Sequence, residues 1–286
     1  MVPAAEPVRS GAALTGAPGI GAGPPQPFAI VGAGRLGTAL AVALRAAGVP
    51  VTGPHGRGYI GAGDAAVLLC VPDDAIASAA ARIGPGPLIG HCSGASRLDV
   101  LGDRPGFSVH PLMTVTPAGA DFRGVVAAVD GSTPAAVAVG EALAGAVGLR
   151  PVRVAGRDRM AYHAAASIAA NYLITVEAAA AELLGTVGLD RAALLPLARA
   201  ALENWGRLGP AALTGPVARG DEGTLAGHRA VVAQRVPELV DLLDALVGAT
   251  QRLVSGGPKP ASGPSGPASG LPGRAPESTP EASTGS

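Results

Sequence analysis

The stretch Phe28-Ala-Ile-Val-Gly32-Ala-Gly34-Arg-Leu-Gly37 is a short apolar run that three glycines turn into an Ala- and Leu-rich segment reaching about Ala47. In a chain with 43 glycines, a G-x-G-x-x-G spacing says little by itself. Here a strand pattern precedes it, a helix pattern follows it, and Gly48 stands where that helix should stop. In this context Gly32 permits a tight turn, Gly34 lets the backbone approach a pyrophosphate, and Gly37 lets helix and strand pack closely. The helix N-terminus adds N–H donors and a partial positive charge. We expect Gly32, Gly34, Arg35, Leu36 and Gly37 to bind a dinucleotide, the alternative being an ordinary strand-to-helix turn.

The sequence around this motif alternates. Strand patterns cover Phe28–Val31, Val49–Thr52, Ala66–Cys70, Leu88–His91 and Phe107–His110, with further strands near Val125–Val129 and Pro151–Val154. Helix patterns cover Leu36–Ala47, Asp74–Ile83, Ser96–Leu101 and Pro134–Ala146. Val-, Ile- and Leu-rich strands between helices predict a mostly parallel sheet covered on both faces. Beyond Arg157 only helical patterns remain: Arg159–Val187, Asp190–Leu208, a Gly/Pro-broken segment, and Asp221–Leu253. The expected organisation is an α/β Rossmann domain at 27–156 and an all-α domain at 157–254. Tails at 1–26 and 255–286 are too rich in Gly, Pro, Ala and Ser to bury a core, and are expected to be disordered.

Composition removes several functions. With 21 basic and 21 acidic residues the chain carries no net charge, so nothing points to nucleic acid or an anionic membrane. Lys259, in the C-terminal tail, is the sole lysine, which excludes Schiff-base and P-loop chemistry from the rest. Cys70 and Cys92 offer neither a disulfide framework nor zinc spacing; Cys70 is expected to pack as a small hydrophobe. No metal site is proposed. No secretory signal pattern is seen at the N-terminus. The apolar stretch Ala164–Ala181 holds Ser167, Asn171, Thr175 and Glu177, and reads as a buried helix rather than a membrane span. A cytoplasmic protein is expected.

The second strand indicates which dinucleotide. An acid about 20 residues past the glycines holds the ribose diol of NAD. This chain instead has Val51-Thr-Gly-Pro-His55-Gly-Arg57, and the nearest acid is Asp64. NADP is therefore the expected cofactor, with Arg57, Arg35 and His55 as candidate contacts to its 2′-phosphate; Arg57 also reads as a solvated loop residue. Val71 and Pro72, past the third strand, should flank the cofactor, while Asp73 and Asp74 read as helix caps.

Two later strand ends carry His91-Cys-Ser93-Gly94-Ala and His110-Pro-Leu-Met-Thr114. Strand ends converge at the cofactor, so Ser93 is a candidate contact to it, and Ser93, Gly94 and His110 are candidate substrate contacts. In the long helix His163, Ser167, Asn171 and Thr175 recur every four residues, which lines them along one side as a gently turning stripe. Polar groups on a buried helix need partners or a cleft. Facing a cleft, His163 is a proton donor to an oxyanion, and Ser167 and Asn171 hydrogen-bond the substrate. The alternative is hydrogen bonding between helices or at a dimer interface. Arg219, in the breaker-rich connection ending at Asp221, is a candidate anchor for a substrate carboxylate; Asp221 reads as the cap of the final helix.

These motifs, with Tyr162-His-Ala-Ala-Ala, Ala170-Asn-Tyr-Leu and Leu213-Thr-Gly-Pro-Val-Ala-Arg-Gly-Asp221, resemble Rossmann-like proteins that carry a C-terminal helical domain of unknown function. The resemblance spans about 27–253. The wider superfamily is similar to 6-phosphogluconate dehydrogenase, pyrroline-carboxylate reductase and deazaflavin-dependent NADP reductases, and some relatives are regarded as alternative ketopantoate reductases. In conventional ketopantoate reductase a lysine begins the same stripe and asparagines follow; His163, Ser167 and Asn171 stand at those places here. The resemblance implies a homodimer through the helical domains. The expected activity is NADPH-dependent reduction of a small carbonyl compound, a 2-oxo acid such as ketopantoate leading. The rivals are a reductase of a deazaflavin or imine, and a non-catalytic NADP sensor.

Overall fold

The computed structural model describes residues 24–256, so the expected tails and Lys259 lie outside it except at their inner ends. The chain groups into two compact units that part between Thr175 and Val176, inside the long helical run and beyond the boundary expected at 156.

The first unit is built on seven strands: β1 (Phe28–Val31), β2 (Thr52–His55), β3 (Ala66–Leu69), β4 (Leu88–His91), β5 (Gly106–Pro111), β6 (Val126–Gly131) and β7 (Arg150–Arg153). Their spatial order is β2-β1-β3-β4-β5-β6-β7, and every pairing is parallel except β5 with β6. Every residue of β1 and β3 is buried, as the continuous apolar runs predict. Their side chains alternate between faces. Phe28, Ile30 and Leu68 join one core with Leu40 and Leu44 of α1 (Arg35–Ala46) and Leu143 of α3 (Pro134–Ala146). Ala29, Val31, Val67 and Leu69 join another with Ile76 and Ala80 of α2 (Ile76–Arg82).

Several boundaries differ from the sequence pattern. The second strand starts at Thr52 because the end of α1 holds the chain back. Val49 N–H donates to the Leu44 carbonyl, and the Arg45 guanidinium reaches the carbonyls of Val51 and Gly53. Asp73 and Asp74 do not cap a helix through their side chains; they lie within a short 3-10 turn that begins after Pro72. Only a 3-10 turn at Leu98–Leu101 forms where a helix from Ser96 was expected.

The long helical run starts as α4 (Arg159–Ser167), passes through a π turn at Ile168–Tyr172, and continues as α5 (Leu173–Gly185). It was expected to be buried, and the structure corrects this: no residue of its most apolar 18-residue window is buried within the chain. By length and composition it is also apolar enough to cross a membrane.

In the second unit follow α6 (Leu195–Leu208), α7 (Pro216–Arg219), α8 (Glu222–Arg235) and α9 (Val240–Val254). The Asp221 carboxylate accepts from the Thr224 N–H and so caps α8. The single helix expected from Asp221 to Leu253 is broken at Val236, which Pro237 drives out of the helical region. Arg229 of α8 then pairs with Asp244 of α9 at 3.0 Å.

Candidate functional site

Both β1 and β3 end at the glycine turn. A Cβ on Gly32, whose φ is +110°, would lie 2.3 Å from the Cys70 carbonyl oxygen, and one on Gly37 would lie 2.0 Å from the Gly32 carbonyl oxygen. Those two positions require glycine for packing alone. Gly34 differs: its φ of −75° suits any residue, and a Cβ there would meet nothing within 4 Å. The absent side chain at Gly34 therefore leaves open space in front of the N-terminus of α1, where its first N–H groups lack partners in the helix. This cradle fits a phosphate.

Gly34, Arg35, Leu36, Val71, Pro72, Ser93 and His110 line one cavity of about 450 Å³ at the strand ends, together with Cys70, Asp73, Cys92 and Met113. Gly34 and Arg35 also border a groove of about 560 Å³ between the outer side of α1 and the loop Thr116–Ala120. Arg57 lies apart from these walls, exposed in the turn after β2. His55 stacks flat on Tyr59, with ring centroids 3.8 Å apart, and Tyr59 donates to the Asp64 carboxylate at 2.6 Å.

A second cavity of about 450 Å³ is lined by His110, Met113, Tyr162, His163, Ser167 and Asn171 among others. His110 and Met113 line both cavities. The stripe on the helix thus opens into a space that adjoins the strand ends. Four residues overshoot an α turn but fall short of a wider π turn, so the π turn between Ser167 and Asn171 counters the drift of the stripe. Thr175 does not line this cavity; its hydroxyl donates to the Asn171 carbonyl.

Gly94 sits at the join. A Cβ there would meet the His110 ring and Cδ2 of His163, each at 2.9 Å. On its other side His110 Nδ1 lies 2.9 Å from the Tyr162 hydroxyl. Burial, followed by the nearby Arg159 charge and then His163, lowers the His110 pKa to about 4. Burial also pushes the Tyr162 phenol up, against the pull of Arg159.

Ser93 holds the loop below. Its hydroxyl donates to Asp73 at 2.7 Å and accepts from the N–H groups of Ala95 and Ser96, so its proton is committed within the chain. Its carbonyl accepts from Arg159 Nη2 at 2.7 Å, and its N–H donates to His91 Nδ1 at 3.2 Å. His91 is wholly buried; burial first and Arg159 second lower its pKa to about 4, so the ring is neutral with its proton on Nε2. Arg159 is also wholly buried, and its Nε and Nη1 have no partner among the described residues.

Tyr162, Asp73 and Arg159 were not anticipated as site residues. Arg159 had a signal: a cation in the first turn of a helix opposes the helix dipole, so some other interaction must hold it there. Arg219 lies in the second unit, at the end of α7, where its guanidinium donates to the Thr214 carbonyl.

Comparison with known proteins agrees with this architecture. Residues 125–250 match the model of a domain of unknown function, DUF2520. No curated protein matches the chain. A candidate NADP oxidoreductase of Bacteroides fragilis is similar over 80% of this chain and 98% of its own, at 22% identity and a TM-score of 0.70. Protein TM1727 of Thermotoga maritima is similar over 80% and 98%, at 20% identity and a TM-score of 0.67. A reductive aminase of Aspergillus terreus, solved with NADPH and ethyl levulinate, is similar over 82% and 95%, at 20% identity and a TM-score of 0.58. The chain has a Rossmann-like fold followed by a helical region, and the DUF2520 match runs from the sixth strand through the helices.

Proposed function

We propose that the chain is an NADPH-dependent oxidoreductase that reduces a small carbonyl compound, with a 2-oxo acid such as ketopantoate as the leading substrate. The observation that carries this reading is the shared wall: His110 and Met113 border both the cavity below the glycine turn and the cavity holding His163, Ser167 and Asn171. When bound, the nicotinamide supplies the hydride.

The chain's residues do the rest. The N-terminus of α1, open at Gly34, receives the pyrophosphate, with Leu36, Val71 and Pro72 along the cofactor. Arg35, Arg57 and His55 meet a 2′-phosphate. Asp64, the acid nearest the end of β2, is engaged by Tyr59, which favours NADP over NAD. Ser93 holds the loop that carries Gly94 against the two imidazoles. His163 gives a proton to the carbonyl oxygen, while Ser167 and Asn171 hold the substrate carboxylate. His110, buried and neutral, orients Tyr162 beside it.

The test is NADPH oxidation by the purified protein with and without ketopantoate, and with NADH for comparison. Ketopantoate-dependent turnover that prefers NADPH is expected. NADPH binding without turnover would remove this substrate. The likeness to a reductive aminase favours a second reading, an imine substrate, which a cyclic imine in the same assay separates.

We also propose a homodimer through the helical region. Ile168, Ile174, Leu197 and Trp205 are each more than half exposed in the single chain, an excess of bare apolar surface that a second copy would cover. Light scattering should report twice the chain mass, and Ile174→Asp should shift it to the monomer. An unchanged mass would place the contact elsewhere. A cytoplasmic location accords with a reductase whose two cysteines lie as free thiols.

A further inference from the structure

The chain has two cysteines, 22 residues apart, and they meet. Cys70 follows β3 and Cys92 follows β4. The register pairs Leu69 with His91, so the next residue of each strand stands beside the other, and Cys92 N–H donates to the Leu69 carbonyl. Neighbouring strands lie about 4.8 Å apart, inside the Cα separation that a disulfide spans. The two Sγ atoms are 3.6 Å apart.

We propose that Cys70 and Cys92 form a thiol–disulfide modification site, in which an oxidant of the peroxide class joins them within the chain and weakens dinucleotide binding in the cavity they border. The effect on binding rests on the NADPH reading above; formation of the bond does not.

The two thiols are unequal. Cys92 is buried, and its contact with Cys70, together with burial, raises its pKa and keeps its proton on. Cys70 is half-buried on the cavity wall and is the one a peroxide reaches. The Cys70 sulfur attacks a peroxide oxygen and gives up its proton; the O–O bond breaks, the departing hydroxide takes up a proton to leave as water, and Cys70 becomes a sulfenic acid. The Cys92 sulfur then attacks the Cys70 sulfur, losing its proton as the S–S bond forms and a second water departs. The two sulfurs together lose two electrons and the peroxide gains them, so two thiols and one hydrogen peroxide become one disulfide and two waters.

The bond draws the sulfurs to about 2.05 Å. Cys70 cannot follow freely without consequence, because its carbonyl and Cβ already pack on Gly32 and Gly37. Its movement is therefore transmitted to the glycine turn. By linkage, a dinucleotide held in that turn should resist formation of the bond to the same degree.

The experiment treats the reduced full chain with hydrogen peroxide, unfolds it, blocks remaining thiols with N-ethylmaleimide and weighs it. The expected product is a monomeric-mass chain lighter by two hydrogens, without maleimide adducts, that regains two adducts after dithiothreitol. Persisting thiols, a sulfinic acid without a bond, or a bond between chains would overturn the site. NADPH titration of both forms then reads the coupling: the oxidised form should bind about tenfold more weakly or worse. Equal affinity would overturn the effect on the cavity. If the bond forms but the reduced chain binds no NADPH, the dinucleotide reading fails and the thiol site stands. If the reduced chain binds NADPH and no bond forms, the thiol site alone fails.

Discussion

Gly34→Thr should leave the fold intact and weaken NADPH binding by about two orders of magnitude. Threonine and glycine are similar as helix N-caps, and the backbone at Gly34 is extended, so the exchange costs the free protein little. A Cβ there meets no protein atom within 4 Å, so the added bulk enters the space in front of the helix. The new hydroxyl also accepts from the same first-turn N–H groups that a phosphate would use. The melting temperature of the ligand-free variant should stay within about 2 °C of the parent. Gly37→Ala is the contrasting case, because its Cβ would strike the Gly32 carbonyl. That clash should cost about 1–3 kcal/mol of stability and lose binding as a by-product. Calorimetric titration with thermal melts separates the two. Undiminished NADPH affinity in Gly34→Thr would mean that the phosphate does not approach there.

His163→Ala should lower turnover about a hundredfold or more while leaving NADPH affinity within about twofold. The imidazole lines the second cavity with Ser167 and Asn171, and none of the three borders the cavity below the glycine turn. Its loss therefore removes a proton source without touching the cofactor walls. Steady-state rates and binding isotherms on the same preparation give the split. Equal turnover would remove His163 from the chemistry, and tight NADPH binding with no turnover on carbonyls or imines in the parent would favour a sensor.

Much of this was legible beforehand. The glycine turn could be read because three requirements, tight turning, close approach and close packing, fall on fixed spacings. The ends of β4 and β5 could be read because buried apolar runs stop abruptly at His91 and His110. What escaped were properties of space rather than spacing. Asp73 looked like a cap, yet Ser93, twenty residues away, takes its carboxylate. The Cys70–Cys92 contact depends on strand order, which no local pattern encodes. The composition of the helix carrying the stripe reads as buried, yet the helix lies bare within the chain, because composition does not distinguish a core segment from an apolar surface. The break before α9 does have a local signal, Pro237, which disfavours helical backbone at Val236 before it.

Gly94 bears on how such a site changes over time. The two rings beside it come from chain positions more than fifty residues apart, His110 and His163, yet a single methyl group would reach both at once. Any side chain at 94 would have to displace both imidazoles, so their present placement requires glycine there. This position is a bottleneck: pockets descended from this one can be widened or repolarised around it, and keep glycine at 94 for as long as both rings stay where they are.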